Sequence, residues 1–291
     1  MKVGRDGVKL IECPRDAMQG LKEFIPTKKK VEYLQQLLKV GFHTIDFGSF
    51  VSPKAIPQLR DTAEVLNSLD PRYLDKSHLL AIVANLRGAE AACEFERIKY
   101  LGYPFSISET FQVRNTNATI GESMDRLRSI RDLVKETGKE MVVYLSMGFG
   151  NPYGDPWNSE IVAHWTDKLF NEGIEILMFS DTIGVARPES IEYIFNSVIP
   201  AYPKVEFGAH FHTAPHTWKE KIESAYKAGC RRFDSAIKGL GGCPMAKDDL
   251  TGNMATENLL YFFDNIEMNL NINRKEFNKA LLLADEVFPP H

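Results

Sequence analysis

The chain has 291 residues, a formal net charge of −4, 44% hydrophobic residues and 25% charged ones. That length builds a large core without disulfides or metal to hold it, and it fits two ordinary domains or one large α/β barrel. The composition excludes disordered, collagen-like and low-complexity chains. The mild acidity argues against a general nucleic-acid binder, and no apolar run is long enough to cross a membrane.

In chain order, a first β-rich run spans Val8–Glu12. A helical pattern follows at Lys28–Val40, with Val31, Leu34, Leu37 and Leu38 on one face and Gly41 as its stop. Apolar runs come next at Thr44–Phe47, Leu79–Ala84 and Phe105–Ser108. Ser123–Thr137 repeats the helical period and ends at Gly138. Met141–Ser146 reads as a strand, Ile161–Asn171 as a helix and Ile174–Phe179 as a strand. Val205–Phe211, the helical Trp218–Ala228 and Phe233–Ile237 close the series. Near-continuous Val, Ile, Leu and Phe marks strands covered on both faces. Helix, glycine, strand is the connection of a repeating βα unit. Eight such strands predict a (β/α)8 TIM barrel spanning 1–291 as one domain, with C-terminal helices from about Thr256. A doubly wound open sheet is the alternative. The scattered Cys13, Cys93, Cys230 and Cys243 read as reduced thiols, and no presequence is evident, so a cytoplasmic protein is expected.

In a barrel, chemistry belongs at the C-terminal ends of the strands. The reactive residues fall there: Pro14-Arg15-Asp16 after the first strand, Asp46 and Ser49 on the second, Asn85 after the third, Asp181 after the sixth, His210-Phe211-His212 on the seventh. Residues two apart on a strand share a face, so both imidazoles can reach one ion. With Asp16, and with Asn253 as an amide oxygen, they make a mixed O/N set. Such a set suits Mg²⁺ or Mn²⁺, Zn²⁺ less well, and Ca²⁺ poorly. Arg15 beside a cation can stabilise an enolate or carboxylate oxygen. Cys243 lies in the glycine-rich Gly239–Pro244 loop, where a thiol can act as general acid or base. A Gly-x-Gly-x-x-Gly fingerprint after the first strand and a Gly-x-Ser-x-Gly elbow are both absent.

From about Val8 to Leu260 the chain resembles the 3-hydroxy-3-methylglutaryl-CoA lyase family. The resemblance is carried by Pro14-Arg15-Asp16 with Gln19, Ser49-Phe50-Val51-Ser52-Pro53-Lys54, Asn85-Leu86, Asp181-Thr182-Ile183-Gly184-Val185, His210-Phe211-His212, Gly239-Leu240-Gly241-Gly242-Cys243-Pro244 and Gly252-Asn253. It implies a metal-dependent retro-Claisen cleavage of a 3-hydroxyacyl-CoA to acetyl-CoA and acetoacetate, as used in leucine degradation. By position, Asp16, His210, His212 and Asn253 would hold the cation. Arg15 would stabilise the enolate, Cys243 would supply or relay a proton, and His210 would help deprotonate the hydroxyl. The resemblance also puts Asp46 among the catalytic groups, Lys22 near the acyl-CoA, and Gln19, Ser49, Asn85 and Asp181 against substrate. A homodimer is in keeping with it.

Several positions depart from the family pattern: the segment from Cys243 to Asn253 is one residue longer than usual, and Met147 and Asn151 stand where cysteines are frequent. Asp46 stands where Glu is usual, Gly48 replaces a small hydroxyl residue, and Thr213 replaces the Asp that follows the second histidine. The last change is expected to remove a partner that orients the ligands. These departures favour an alternative: a related lyase, aldolase or Claisen-type synthase acting on a different hydroxyacyl-CoA or 2-oxo acid. A non-catalytic acyl-CoA-binding barrel is a third reading. The presence of Arg15, Asp16, both histidines, Cys243 and Asn253 in one chain speaks against it.

Overall fold

The computed structural model describes residues 7–242 and 251–288. Cys243 therefore lies outside the described residues. The strands are β1 (Lys9–Glu12), β2 (Thr44–Ser49), β3 (His78–Ile82), β4 (Ile98–Ser106), β5 (Glu140–Ser146), β6 (Ile176–Asp181), β7 (Glu206–Thr213), β8 (Arg232–Ser235) and the short β9 (Gly252–Asn253). The first eight pair in parallel in chain order, and both the β6–β7 and β8–β1 ladders are present. That closes the sheet into a barrel and excludes the open-sheet alternative. β9 is the exception, lying antiparallel against β7.

The helices are α1 (Pro14–Gln19), α2 (Thr27–Val40), α3 (Thr62–Ser68), α4 (Leu86–Cys93), α5 (Glu109–Thr116), α6 (Ile120–Glu136), α7 (Ser159–Asn171), α8 (Pro188–Ala201), α9 (Trp218–Lys227), α10 (Thr256–Asn265) and α11 (Arg274–Val287). α2 stops at Gly41, whose φ of 87° suits a residue without a side chain. α6 begins three residues before the expected Ser123. The Thr119 side chain accepts from the Glu122 amide, and the Glu122 carboxylate reaches back to the Thr119 amide, which forms a capping box. β4 begins well before the expected Phe105. Its Tyr-Leu-Gly-Tyr-Pro stretch contains two residues that strands usually avoid, yet Tyr100 to Ser106 pair with Glu140 to Ser146 without a break. No described helix is long and apolar enough to cross a membrane.

Alternation sorts the strands into two faces. Leu79, Ala81, Leu101, Val143, Phe179 and Phe207 pack outward into the core under the helices. Leu80, Ile82, Tyr100, Val142, Tyr144, Ile176 and Met178 fill the barrel on the β3–β6 side. On the β7, β8 and β2 side the even-numbered buried side chains are polar: Thr44, Asp46, His212, Arg232 and Asp234. The barrel interior thus has an apolar half and a charged half, and the charged half rises to the mouth.

Glu12 ties this half to the loop that follows β8. One carboxylate oxygen accepts from the Ile237 amide at 2.8 Å and the other from the Thr256 hydroxyl at 2.6 Å. Burial pushes its pKa from 4.5 to about 8. A carboxyl raised on folding holds its proton better in the folded chain, so stability contributed below pH 4.5 is lost as pH rises towards 8. Glu12→Gln removes the titration, and the Gln carbonyl and amide keep both hydrogen bonds once the Thr256 hydroxyl turns to Ser235. The gap between variant and wild-type urea midpoints is expected to move in favour of the variant between pH 5.5 and pH 8.5. A gap independent of pH would overturn this assignment.

Candidate active site

β1 runs directly into α1, with Pro14 at the first helical turn. Arg15 and Asp16 are therefore held at the barrel mouth, and Gln19, one turn later, faces both. Gln19 donates to Asp16 at 2.8 Å and accepts from Arg15 at 2.9 Å. The Arg15 guanidinium also donates from Nη1 to Asp16 at 2.9 Å, and from Nε and Nη2 to Asp46 at 3.0 and 2.6 Å. Four of the five N–H groups of an arginine are thereby engaged among the described residues, and one on Nη2 is left. Burial opposes the charge on Arg15, but Asp46 and Asp16 outweigh it and raise its pKa. Burial pushes Asp46 up to about 6 despite Arg15, so the clamp is ionised at neutral pH.

Asp46 was expected among the catalytic groups. Its side chain is only 1% exposed and does not line the cavity. It meets the site through Arg15, as a positioning residue.

The ligand set converges as the His-x-His spacing predicts. Donor atoms of Asp16, His210 and His212 lie within 4.8 Å of one another, and the two imidazole rings are 5.3 Å apart. His212 Nδ1 is 2.9 Å from the Asp181 carbonyl, which can only accept, so its lone pair is on Nε2. That Nε2 is buried without a partner among the described residues. His210 Nδ1 is 2.9 Å from Asp234 Oδ2, which leaves Nε2 free in the same way. Asn253 is delivered by β9, directly across from His212. It donates to Asp16 at 2.7 Å and to the Leu240 carbonyl at 2.8 Å, so the atom it has left to offer is Oδ1. One carboxylate, two bare imidazole nitrogens and one amide oxygen fit a divalent cation. Burial opposes charge on Asp16, but Arg15 and His210 hold its pKa below the ordinary value. Burial and neighbouring His210 lower that of His212.

These groups line one side of a cavity of about 850 Å³. Ser146, Ser180 and Thr182 add hydroxyls from β5 and β6. Across the mouth, Val51, Ile56, Ile82, Ala84, Pro104 and Phe111 form an apolar wall. Gly242 and Thr251 also line the cavity, so the chain enters and leaves the 243–250 segment at its rim.

Other expected contacts lie elsewhere. Lys22 is exposed, while its neighbours Gly20 and Leu21 line the cavity. Asn85 caps α4 by accepting from the Gly88 amide at 2.9 Å. Ser49 is buried, donating to the Ile82 carbonyl and accepting from the Val51 amide. Asp181, expected against substrate, is not among the residues lining the cavity. Its oxygens accept from the Val185 and Ala186 amides and from Lys221, at 2.8, 3.0 and 2.6 Å.

Thr213 does not leave the histidines without partners. Asp234 and the Asp181 carbonyl hold them instead. The signal for Asp234 was a carboxylate inside an apolar strand, at the register that points inward. Tyr144 was also missed. It lines the cavity with its ring edge-on to His210 at 5.9 Å, in a strand read only as core.

The sequence model of the HMGL-like family matches residues 8–283. A mitochondrial hydroxymethylglutaryl-CoA lyase of Arabidopsis thaliana is 34% identical over 91% of this chain, which spans 56% of that relative's length. A 3-hydroxy-3-isohexenylglutaryl-CoA/hydroxymethylglutaryl-CoA lyase of Pseudomonas aeruginosa is 32% identical, over 91% of this chain and 87% of its own. The structure of an HMG-CoA lyase from Acinetobacter baumannii, in complex with coenzyme A and 3-methylmalate, matches with a TM-score of 0.89. It is 29% identical, with 99% of this chain and 93% of that one covered.

Proposed function

This chain belongs to the hydroxymethylglutaryl-CoA lyase family of carbon–carbon lyases, and from that premise we propose that it cleaves 3-hydroxy-3-methylglutaryl-CoA to acetyl-CoA and acetoacetate with Mg²⁺ or Mn²⁺. The observation that carries the reading is the convergence of Asp16, His210, His212 and Asn253 beside an arginine with one N–H left to give. The coenzyme A in the Acinetobacter structure supports an acyl-CoA substrate.

Asp16, the two Nε2 atoms and Asn253 Oδ1 would hold the cation. When bound, it supplies Lewis acidity that lowers the pKa of the substrate's C3 hydroxyl. Arg15 turns its remaining Nη2 hydrogen to the thioester oxygen, where negative charge collects as the C2–C3 bond breaks. Asp46 and Gln19 fix that guanidinium beforehand, so no reorientation accompanies the charge. As a ligand through Nε2, with Nδ1 on Asp234, His210 has no nitrogen left to take a proton. Its role in this reading is to bind. As the bond breaks the hydroxyl proton passes to solvent in the cavity, and Cys243 returns a proton to the acetyl-CoA carbanion from a segment whose two ends meet the cavity rim.

The apolar wall favours a second reading of the substrate, with a C3 substituent larger than methyl. One assay addresses both. Metal-loaded protein is given 3-hydroxy-3-methylglutaryl-CoA and, in parallel, analogues with longer C3 alkyl groups, and acetyl-CoA and the matching 3-oxo acid are quantified. Equimolar products are expected, abolished by chelator and restored by Mg²⁺ or Mn²⁺. A higher kcat/KM for the longer analogues would favour the second reading. Cys243→Ala should keep Mn²⁺ affinity and lose turnover strongly. No product from any analogue, with metal shown to be bound, would overturn the lyase reading.

A further inference from the structure

His210 belongs to two groups of metal-capable donors. One is Asp16, His210 and His212. The other is Cys13, His210 and Asp234, whose donor atoms also lie within 4.8 Å of one another. The two groups make different demands on the same ring. A ligand to the first must come from Nε2, opposite the nitrogen that meets Asp234. In the second, the nitrogen that meets Asp234 is Nδ1.

We propose that Asp234 decides between them: by accepting a hydrogen from Nδ1 it fixes the His210 tautomer, confines metal binding to the Asp16 side, and so acts as the positioning residue of the metal centre. Asp234 Oδ2 lies 2.9 Å from Nδ1. A carboxylate offers no hydrogen, so the one in this contact belongs to the ring. A ring nitrogen carrying hydrogen has no lone pair for a metal, and the lone pair is left on Nε2. His210 is the only side-chain partner this carboxylate has among the described residues, its Oδ1 being buried without one. Asp234 sits on the inward face of a barrel strand with its side chain 1% exposed. Arg232, two residues earlier on the same face, brings a permanent positive charge one step down the same strand. Arg232 is fully buried, and its Nη1 reaches Glu206 only at 3.4 Å. His212 is held differently, by the neutral carbonyl of Asp181. The two ligands therefore depend on different partners, and only one of them depends on Asp234.

The inference rests on the metal reading above but not on the lyase reaction, and its test needs no substrate. Mn²⁺ binding to the whole protein is measured by calorimetry, and the ring nitrogens of the metal-free protein are assigned by ¹⁵N NMR. Wild type should bind one ion per chain, with His210 and His212 both in the Nδ1–H form at a pH where both rings are neutral. In Asp234→Ala, His210 should lose that fixed form while His212 keeps it, and Mn²⁺ affinity should fall about 10–100-fold. Asp234→Asn, which retains an accepting oxygen, should fall less, and it serves if the alanine variant fails to fold. Cys13→Ser should leave stoichiometry and affinity unchanged. A purely structural Asp234 would lower thermal stability and leave the His210 tautomer alone. An unchanged His210 signal, or a second ion lost with Cys13→Ser, would overturn the proposal.

Discussion

Arg15→Gln is expected to lower kcat about 10²- to 10³-fold, the range for losing one donor aimed at a developing oxyanion, while KM and Mn²⁺ affinity change only a few-fold. The reason is the division of labour in its guanidinium. Its bonds to Asp46, Asp16 and Gln19 exist before substrate binds. In the proposed reaction only the spare N–H meets charge that appears in the transition state. Glutamine retains a polar group near Asp16 but neither the charge nor the fork. Lysine should not rescue, because a single ammonium cannot bridge two carboxylates and an amide in that geometry. Steady-state kinetics with product quantification, alongside an Mn²⁺ titration, checks this. An effect confined to KM would mean that Arg15 holds ground state and transition state alike.

Lys221→Met should lower stability by about 3–5 kcal/mol, the usual consequence of stranding one member of a buried ion pair. At roughly 2–4 °C per kcal/mol for chains approaching this size, Tm falls by roughly 6–20 °C. The pair is enclosed, with Lys221 and Asp181 side chains 1% and 0% exposed. The ammonium donates to Asp181 and to the carbonyls of Gly184 and His212, at 2.6, 3.0 and 2.9 Å. Removing it leaves a carboxylate buried beneath the turn that carries Thr182 into the cavity. Combining Lys221→Met with Asp181→Asn should recover much of the loss, since no charge is then left alone. Thermal melts of the metal-free proteins give all values. Additive losses in the double variant would show that the two residues act independently.

The barrel was legible because its strands are short runs of β-branched and aromatic residues spaced by helical periodicity. The boundaries that moved did so for local reasons. β4 was masked by Gly102 and Pro104, which strand propensity counts against and which barrel pairing on both sides overrides. β9 is two residues long, too short for any period to register. Within the site, Asp16, His210, His212 and Asn253 were legible from strand ends, from the two-residue spacing and from the family resemblance. Asp181 turns from the cavity for a reason the sequence does not show. A strand-end position shows only that a residue is near the mouth, and an inward lysine on α9 turned its carboxylate into the fold. Asp46 and Asp234 show the same limit. Sequence placed them inside the barrel, while their pairing with Arg15 and His210 is set by register between strands distant in the chain.

The pairing of β9 with β7 has a consequence for how such proteins diversify. Asn253 stands opposite His212 whatever lies between Gly242 and Thr251, because both stems are fixed independently. The stems themselves admit almost no change. At Gly241, with φ of 83°, an added carbon would come within 2.8 Å of the Asp16 carbonyl, and at Gly252 within 2.4 Å of the Gly239 carbonyl. The stretch from 243 to 250 is thus an exchangeable cassette between two immovable docks. Lengthening it by a residue, or trading it wholesale between relatives, leaves Asn253 in register with His212. The segment can then vary by insertion and deletion, the coarsest of mutations, while the register that sets Asn253 beside His212 experiences none of it.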